Sequence, residues 1–578
     1  MGNPLVTMLT TRDRVRRQVL RRRSVSVPTE VPGTDAVFLV LRRMRLPLIV
    51  LISIFTISVV GMSLMPGVDP DGNPHRLTIF DAFYLMSITA TTIGFGEVPY
   101  GFSYPQRMWV TASIYMTVIG WAYALSSLFA MVQDRGFREA ITVQRLRRRI
   151  KGISEPFLIV AGYGQAGRAV ARVLDEHHRR FVVIDHSPRK VDTLAIDQHS
   201  EDVPGIEGDV HNPALLGLAG LGHPLCEGVL ALTTDDCNLA ITMNVHLLRP
   251  DVPVIARCDD RRTATRLADF DPAAIINPYD RYGHYLGLAL KKPATFQLAT
   301  WLMDPVGSPL VARMPGLTDG RWIVVGDGRF STEVANDLTA IGLEVTVADP
   351  MDGNPDVTGV TGMIAGAESD VENLALAAHA RLENPDIFLA VRQRSNLQAA
   401  TMQAFAADSL FVPSELVARE VLAHIISPDY WAFIDHVLHA DDPWSEDVLR
   451  RFVDRVGGGT PTSTEFVLDS ASAPAVARWF AGGRSLTVGQ LTADPDDWLT
   501  PLPLLVVSLI RDEETTFLPD DDTALQAGDL LVIAADPDAL DQLDRTLFHD
   551  RTLHYTATGE VRPETWLFRY LADLRKTP

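Results

Sequence analysis

Residues 46–65 (LPLIVLISIFTISVVGMSLM) carry no charge over twenty consecutive positions. At about 1.5 Å of rise per helical residue, such a run spans a hydrocarbon layer of about 30 Å. Residues 108–132 (MWVTASIYMTVIGWAYALSSLFAMV) repeat the pattern. Two membrane-crossing helices are therefore expected. Arg42, Arg43 and Arg45 precede the first run, and Arg135, Arg138, Arg145, Arg147, Arg148, Arg149 and Lys151 follow the second, while only Arg76 and Arg107 lie between. Basic residues gather on the cytoplasmic side of a membrane. Both termini are thus expected in the cytoplasm and 66–107 outside, in a multi-pass protein of the cell (inner) membrane. Arg12, Arg14, Arg16, Arg17, Arg21, Arg22 and Arg23 lie outside any apolar run, so 1–45 reads as a solvated or lipid-facing basic tail, not a charged span.

Residues 78–97 (TIFDAFYLMSITATTIGFGE) are too short and polar to cross the bilayer, yet apolar enough to enter it. Non-helical backbone survives at membrane depth only when buried in protein or lining a wet cavity, so a re-entrant loop beside a pore is expected. Its Thr92-Ile93-Gly94-Phe95-Gly96, with Thr91 before and Glu97 after, resembles the potassium-channel signature TVGYG. In that signature stacked carbonyl oxygens replace the ion's hydration shell, and glycines let successive carbonyls face one axis. The resemblance implies that the carbonyls of Thr92, Ile93, Gly94 and Phe95, with the Thr92 hydroxyl, hold K+ as the transported ion. Phe95 lacks the tyrosine hydroxyl that anchors such filters sideways, Glu97 replaces the usual aspartate, and Tyr84, Leu85 and Ile88 differ from the residues many relatives keep behind the filter. Gly120 resembles a gating hinge and reads equally as a packing glycine. One filter strand cannot enclose an ion, so a homotetramer is implied.

The chain holds 52 Lys+Arg against 72 Asp+Glu, a formal charge of −20, and because the first quarter is basic the remainder is strongly acidic. That acidity excludes nucleic acid as a partner, while the basic flanks suit membrane lipids. Cys226, Cys237 and Cys258 have neither metal-ligand nor disulfide spacing, as in a reducing cytoplasm.

From Phe157 the sequence reads FLIVAGYGQAGRAVARVLDEHHRRFVVID: a strand, then Gly162, Gly164 and Gly167, a helix with Ala169, Val170, Val173 and Leu174 on one face, and a strand ending at Asp185. This is the start of a dinucleotide-binding βαβ unit, in which glycines admit phosphate, the helix N-terminus favours the anion and the acid accepts from a ribose hydroxyl. Strand-like runs at 228–233 and 252–257 extend it toward an open parallel sheet. The stretch resembles RCK domains, regulators of potassium conductance, which implies further ligand contacts at Gly208, Asp209, Val210 and Thr233. From Arg321 the pattern recurs at an offset of 164, pairing Gly326, Gly328 and Asp349 with Gly162, Gly164 and Asp185. Ser331 replaces the third glycine and Asp327 adds charge, so this second unit is expected to bind weakly or not at all. Residues 485–547 resemble the small C-terminal lobe of RCK proteins. Their Asp520, Asp521 and Asp522 read as a solvated turn, with a divalent cation such as Ca2+ as the alternative.

The expected fold is a membrane α-helical pore of two spans plus a re-entrant loop, followed by α/β Rossmann-like RCK domains and a small α/β C-terminal lobe. The expected boundaries are a basic tail at 1–45, the pore at 46–132, a basic linker at 133–155, RCK domains at 156–303 and 320–440, a linker at 441–484 and the lobe at 485–578. The resemblance implies a ligand-gated potassium channel subunit, not an enzyme, regulated by NAD or NADH. The alternatives are a Trk-type transporter component, against which one attached pore repeat argues, and a membrane-anchored NAD-dependent dehydrogenase, for which no catalytic constellation is recognisable.

Overall fold

The computed structural model describes residues 27–28 and 36–561, apart from 70, 92, 95–100, 134, 195, 312 and 314–319. One compact unit, Pro28–Ile153, is separate from another built on Ser154–Pro578.

In the first unit, helix α1 (Ala36–Leu64) starts ten residues before the uncharged run. A small hairpin of β1 (Gly67–Val68) and β2 (Pro74–His75) leads to α2 (Ile79–Ala90). Helix α3 (Tyr104–Gln133) follows, then α4 (Arg135–Lys151). The stretches Met44–Leu64 and Tyr104–Ala130 are long and apolar enough to cross a membrane. Ile52, Ile57, Ile119, Trp121 and Phe129 are exposed on them, an apolar surface suited to lipid or protein rather than water. Gly61 of α1 lies against the Trp109 ring, whose Nε1 donates to the Ser58 carbonyl at 3.0 Å. Residues 133–155, expected as a linker, are mostly helical in α4, since Arg, Gln and Leu favour a helix and α4 holds no Gly or Pro after Gly136.

The second unit opens with β3 (Phe157–Ala161), α5 (Gln165–Glu176), β4 (Arg180–Asp185), α6 (Pro188–Thr193), β5 (Gly205–Glu207), α7 (Pro213–Leu218), β6 (Cys226–Ala231), α8 (Asp235–Leu248), β7 (Val254–Arg257), α9 (Arg261–Ala268) and β8 (Ala274–Ile276). Their sheet is parallel, ordered β5-β4-β3-β6-β7-β8, so the strand order reverses between β3 and β6, where open α/β sheets hold ligands. Helices α10 (Pro278–Lys291) and α11 (Pro293–Met303) follow.

A second parallel sheet comprises β9 (Arg321–Val325), α12 (Arg329–Ala340), β10 (Glu344–Ala348), β11 (Val360–Ala365), α13 (Asp370–Glu383), β12 (Phe388–Arg392), α14 (Ala399–Phe405) and β13 (Ser409–Phe411), in the order β10-β9-β11-β12-β13. It lacks a partner for β5. Where the first half has α6, β5 and α7, the second passes from Asp349 to Val360 through one short 3-10 turn, Pro350–Asp352. The repeat offset accordingly falls from 164 at the glycines to 135 at Arg257 and Arg392.

Helices α15 (Pro413–Ile426), α16 (Pro428–His439) and α17 (Asp442–Arg455) come next. The two halves exchange helices. Tyr282, Leu286 and Leu290 of α10 enter the core of the second half beside Val334 and Leu338, while Val417, Ala418 and Val421 of α15 enter the first beside Val170 and Leu174. Each such buried aliphatic side chain contributes about 1.5–3 kcal/mol. Arg281 of α10 pairs at 3.3 Å with the fully buried Glu420 of α15, which also accepts from Tyr285 at 3.1 Å.

The last sheet contains β14 (Thr462–Val467), β15 (Leu504–Arg511), β16 (Glu514–Phe517) and β17 (Leu530–Ala535), ordered β14-β17-β15-β16 and antiparallel. Around it lie α18 (Pro474–Ala481), α19 (Val488–Leu491), α20 (Pro537–Phe548) and α21 (Asp550–Thr558). The expected linker at 441–484 is therefore structured. Val448, Leu449 and Phe452 of α17 pack with Leu298 and Phe433, and the β-branched run after the glycines at 457–459 pairs along β17.

Candidate functional site

Helix α2 starts at Thr78, whose hydroxyl accepts from the Asp81 N–H at 3.2 Å and donates to its carboxylate at 2.7 Å. Its Ala82, Leu85, Met86 and Ile88 are buried against Val59 and Met62 of α1. At its C-terminal end the Ile88 carbonyl accepts from the N–H groups of both Ile93 and Gly94, at 3.0 and 3.1 Å, so the chain turns back at the negative pole of the helix, where a cation is favoured. Gly94 has φ +64°, a left-handed conformation, with open space where a Cβ would stand. Thr92, Phe95 and Gly96 lie outside the described residues. Gly120 is buried inside the unbroken α3, its missing Cβ 2.9 Å from Ile54 Cδ1, which is close helix packing.

In the first α/β half, β3 is buried throughout and ends at Ala161, just before Gly162. Gly162 has φ +103° and its backbone N–H donates to Ile184 at 2.7 Å. A Cβ on Gly167 would fall 1.9 Å from the Gly162 carbonyl oxygen, so only glycine lets α5 start this close to the turn. Around Gly164, the N-cap of α5, there is open space and no side-chain cap, leaving the helix end available to phosphate. Asp185 is buried, with Oδ2 accepting from Tyr163 N at 2.8 Å and Lys190 Nζ at 3.2 Å and Oδ1 from Ser187 N at 2.9 Å. Burial raises its pKa, but the Ser187 and Tyr163 N–H groups and Lys190 outweigh that and hold it below the usual value. Its carboxylate thus ties the glycine turn to the loop after β4. Gly208 N donates to the Asp185 carbonyl at 3.0 Å, which brings Asp209 to the same end of the sheet. Asp209 is exposed and accepts from His211 Nδ1 at 2.6 Å, while Val210 is a core residue. Thr233 donates its hydroxyl to Asn238 Oδ1 at 2.7 Å.

The second half repeats the turn, with Gly326 N donating to Ala348 at 2.9 Å, and fills it differently. Ser331 Oγ lies 2.1 Å from where a Gly326 Cβ would be, and Glu368 Oε1 stands 3.2 Å from the corresponding point on Gly328, where the first half is open. Arg392 pairs with that Glu368 at 3.1 Å and stacks over Phe330 at 4.9 Å. A carboxylate over the turn opposes phosphate. Asp349 is exposed and caps only Met351 N, at 2.8 Å.

Residues 48–134 match the ion channel family, 158–278 the TrkA-N domain and 499–547 the TrkA-C domain. The chain joins an ion-channel domain to TrkA-N and TrkA-C domains. It is 24% identical over 245 residues to potassium channel protein 1 of Methanocaldococcus jannaschii, covering 41% of this chain and 67% of that protein. It is 24% identical over 226 residues to probable potassium channel protein 2 of the same organism, covering 38% and 60%. An uncharacterized protein of Methanothermus fervidus is 27% identical over 224 residues, covering 39% of this chain and 34% of that one, so the matched region spans about a third of that relative's length. Among solved structures, the GsuK channel bound to NAD aligns over 89% of this chain and 99% of that chain at 13% identity, with a TM-score of 0.42.

Within the TrkA-N domain, Asn238 escaped sequence reasoning. It is fully buried, and its Nδ2 donates to the Thr233 and Arg257 carbonyls at 3.3 and 2.8 Å, joining the ends of β6 and β7 beneath the site. The signal was the repeat itself, since Asn373 bonds the Ala367 and Arg392 carbonyls, each at 3.0 Å, in the other half. In the turn between β16 and β17, the exposed Asp521 pairs with Arg455 at 3.1 Å. Among the described residues no group of three His, Cys, Asp or Glu is placed to hold a metal ion.

Proposed function

We propose that the chain is one subunit of a homotetrameric, ligand-gated K+ channel of the cell membrane, with both termini cytoplasmic. The observation that carries this reading is the turn after α2: two apolar spans flank a short helix whose Ile88 carbonyl holds both Ile93 and Gly94, with Gly94 in a left-handed conformation suited to a carbonyl-lined filter. Residues 92–96 conduct, with Thr92, Ile93, Gly94 and Phe95 as ion ligands.

The regulatory ligand is NAD or NADH, bound at Gly162, Gly164 and Gly167. The open space over Gly164 and the uncapped end of α5 fit a diphosphate. Asp185 and Asp209 stand on the ribose side, and Val210 and Thr233 shape its floor. The dinucleotide shifts the gate only as far as its affinity differs between open and closed states, and residues 133–155 carry that change to the second span. Single-channel recording with NADH added to one face tests this: a change in open probability lost in Gly164→Ala is expected, and an NADH response that survives in this variant contradicts it.

A further inference from the structure

Helix α21 stops at Thr558, and Gly559 takes φ +72°, where its missing Cβ would stand 2.7 Å from the Trp498 ring. The loop that carries Trp498 is closed by a bridge between Ala493 and Pro501, and Gln490 Nε2 of α19 donates to the Ala557 carbonyl of α21 at 3.0 Å. Trp498 and Leu499 are nevertheless 41% and 74% exposed, and Val561, two residues past Gly559, is exposed as well. Immediately after Leu499 in the same loop, Thr500 and Pro501 line a cavity of about 380 Å³, together with the apolar Val488, Leu504 and Leu518. An indole, a leucine and an apolar cavity thus lie side by side in water at the point where the described residues end.

Residues 562–578 (RPETWLFRYLADLRKTP) lie outside the described ones. Their sequence sets Trp566, Leu567, Tyr570, Leu571 and Leu574 at the spacing of one helical face, with Arg569, Asp573 and Lys576 on the other. Pro563 suits the first position of such a helix, which would reach about 25 Å. Charge points the same way: residues 485–561 hold 3 Lys+Arg against 16 Asp+Glu, whereas 562–578 hold 4 against 2. We propose that residues 562–578 fold back onto the lobe of their own subunit as an amphipathic helix, its apolar face over Trp498, Leu499 and the mouth of the cavity. The segment leaves the lobe at the patch itself, so its local concentration there exceeds that of any free partner. Because Arg451 and Arg455 of α17 line the same cavity, the helix also braces α17 against the lobe.

Hydrogen–deuterium exchange on the full-length protein in detergent tests this. The amides of 564–576 are expected to exchange at least about tenfold more slowly than those of an open chain, and Leu499→Asp, a change at an exposed side chain, is expected to remove about tenfold of that protection. Free exchange in the wild type overturns the proposal. So does protection that Leu499→Asp leaves unchanged, which would assign the segment to the detergent micelle. A second variant carries Leu499→Cys and Leu567→Cys with Cys237→Ser, Cys226 and Cys258 being buried. Oxidation is expected to join the two introduced cysteines within one subunit, and a disulfide found only between subunits overturns the choice of partner.

Discussion

Replacing Gly167 with alanine should cost the TrkA-N domain its ligand, and one distance sets the scale. The new Cβ falls 1.9 Å from the Gly162 carbonyl oxygen and 3.0 Å from its carbon, and both atoms are backbone. Restoring ordinary contact requires the first turn of α5 to withdraw by about 1.5 Å, an overpacking strain of about 1–3 kcal/mol. The same withdrawal takes the N–H groups at the helix end out of hydrogen-bonding range of a diphosphate, and each such charge-assisted bond is worth about 1.5–3 kcal/mol. Losing one of them raises Kd about 10- to 150-fold. Gly164→Ala is the control, since nothing lies within 4 Å of its Cβ. It should melt like the wild type and still lose affinity, because the methyl occupies the space phosphate needs. NADH titration by calorimetry, beside thermal melts of the same detergent-solubilised protein, reads both effects. Gly167→Ala binding NADH within about twofold of the wild type refutes the reasoning.

Gly94→Ala should abolish single-channel conduction, because at φ +64° an alanine costs about 1–2 kcal/mol in each subunit and tilts the carbonyls that must face the axis; unaltered currents would show that the filter lies elsewhere. Asp185→Ala should remove NADH binding and Asp349→Ala leave it nearly unchanged, because the first releases the Tyr163 and Ser187 N–H groups and the second only Met351 N; the reverse in a binding titration places the site in the wrong half. Asp337 of α12 packs on Gly283 of α10, and burial, then repulsion from Asp280 and Glu333 against the pull of Arg261, lifts its pKa to about 6. The folded state therefore binds a proton that the unfolded state gives up, so stability should fall as pH rises from 4 to 6 and beyond, by about 1–2 kcal/mol. Urea midpoints for the wild type and Asp337→Asn at pH 5 and pH 7 check this: equal pH dependence in both contradicts it.

Much of this was legible in the sequence because short-range chemistry decides it. A charge-free run long enough to span a bilayer has few other folds, and a glycine triplet followed by Asp185 specifies a turn whose φ at Gly162 and contact at Gly167 admit nothing larger. The exchange of α10 and α15 was not legible. Apolar spacing shows that Leu286 and Val421 are buried, not that each is buried in the other half's core. Strand β14 was read as linker because its partner β17 lies some seventy residues away, and register is set by the sheet rather than by Thr462 and Thr464 themselves. Asp185 was read as a ribose acceptor, and its first partners are the protein's own N–H groups. Arg392, which holds Glu368 beside the second turn, was not legible because a strand-ending arginine has no motif.

The K+-selective pore proposed at the turn after α2 has one direct test. Purified protein in a planar bilayer, with KCl on one side and NaCl on the other, measures it in one reading. A reversal potential displaced far from zero, with the KCl side negative, is expected. A reversal potential near zero, with K+ and Na+ passing equally, contradicts it.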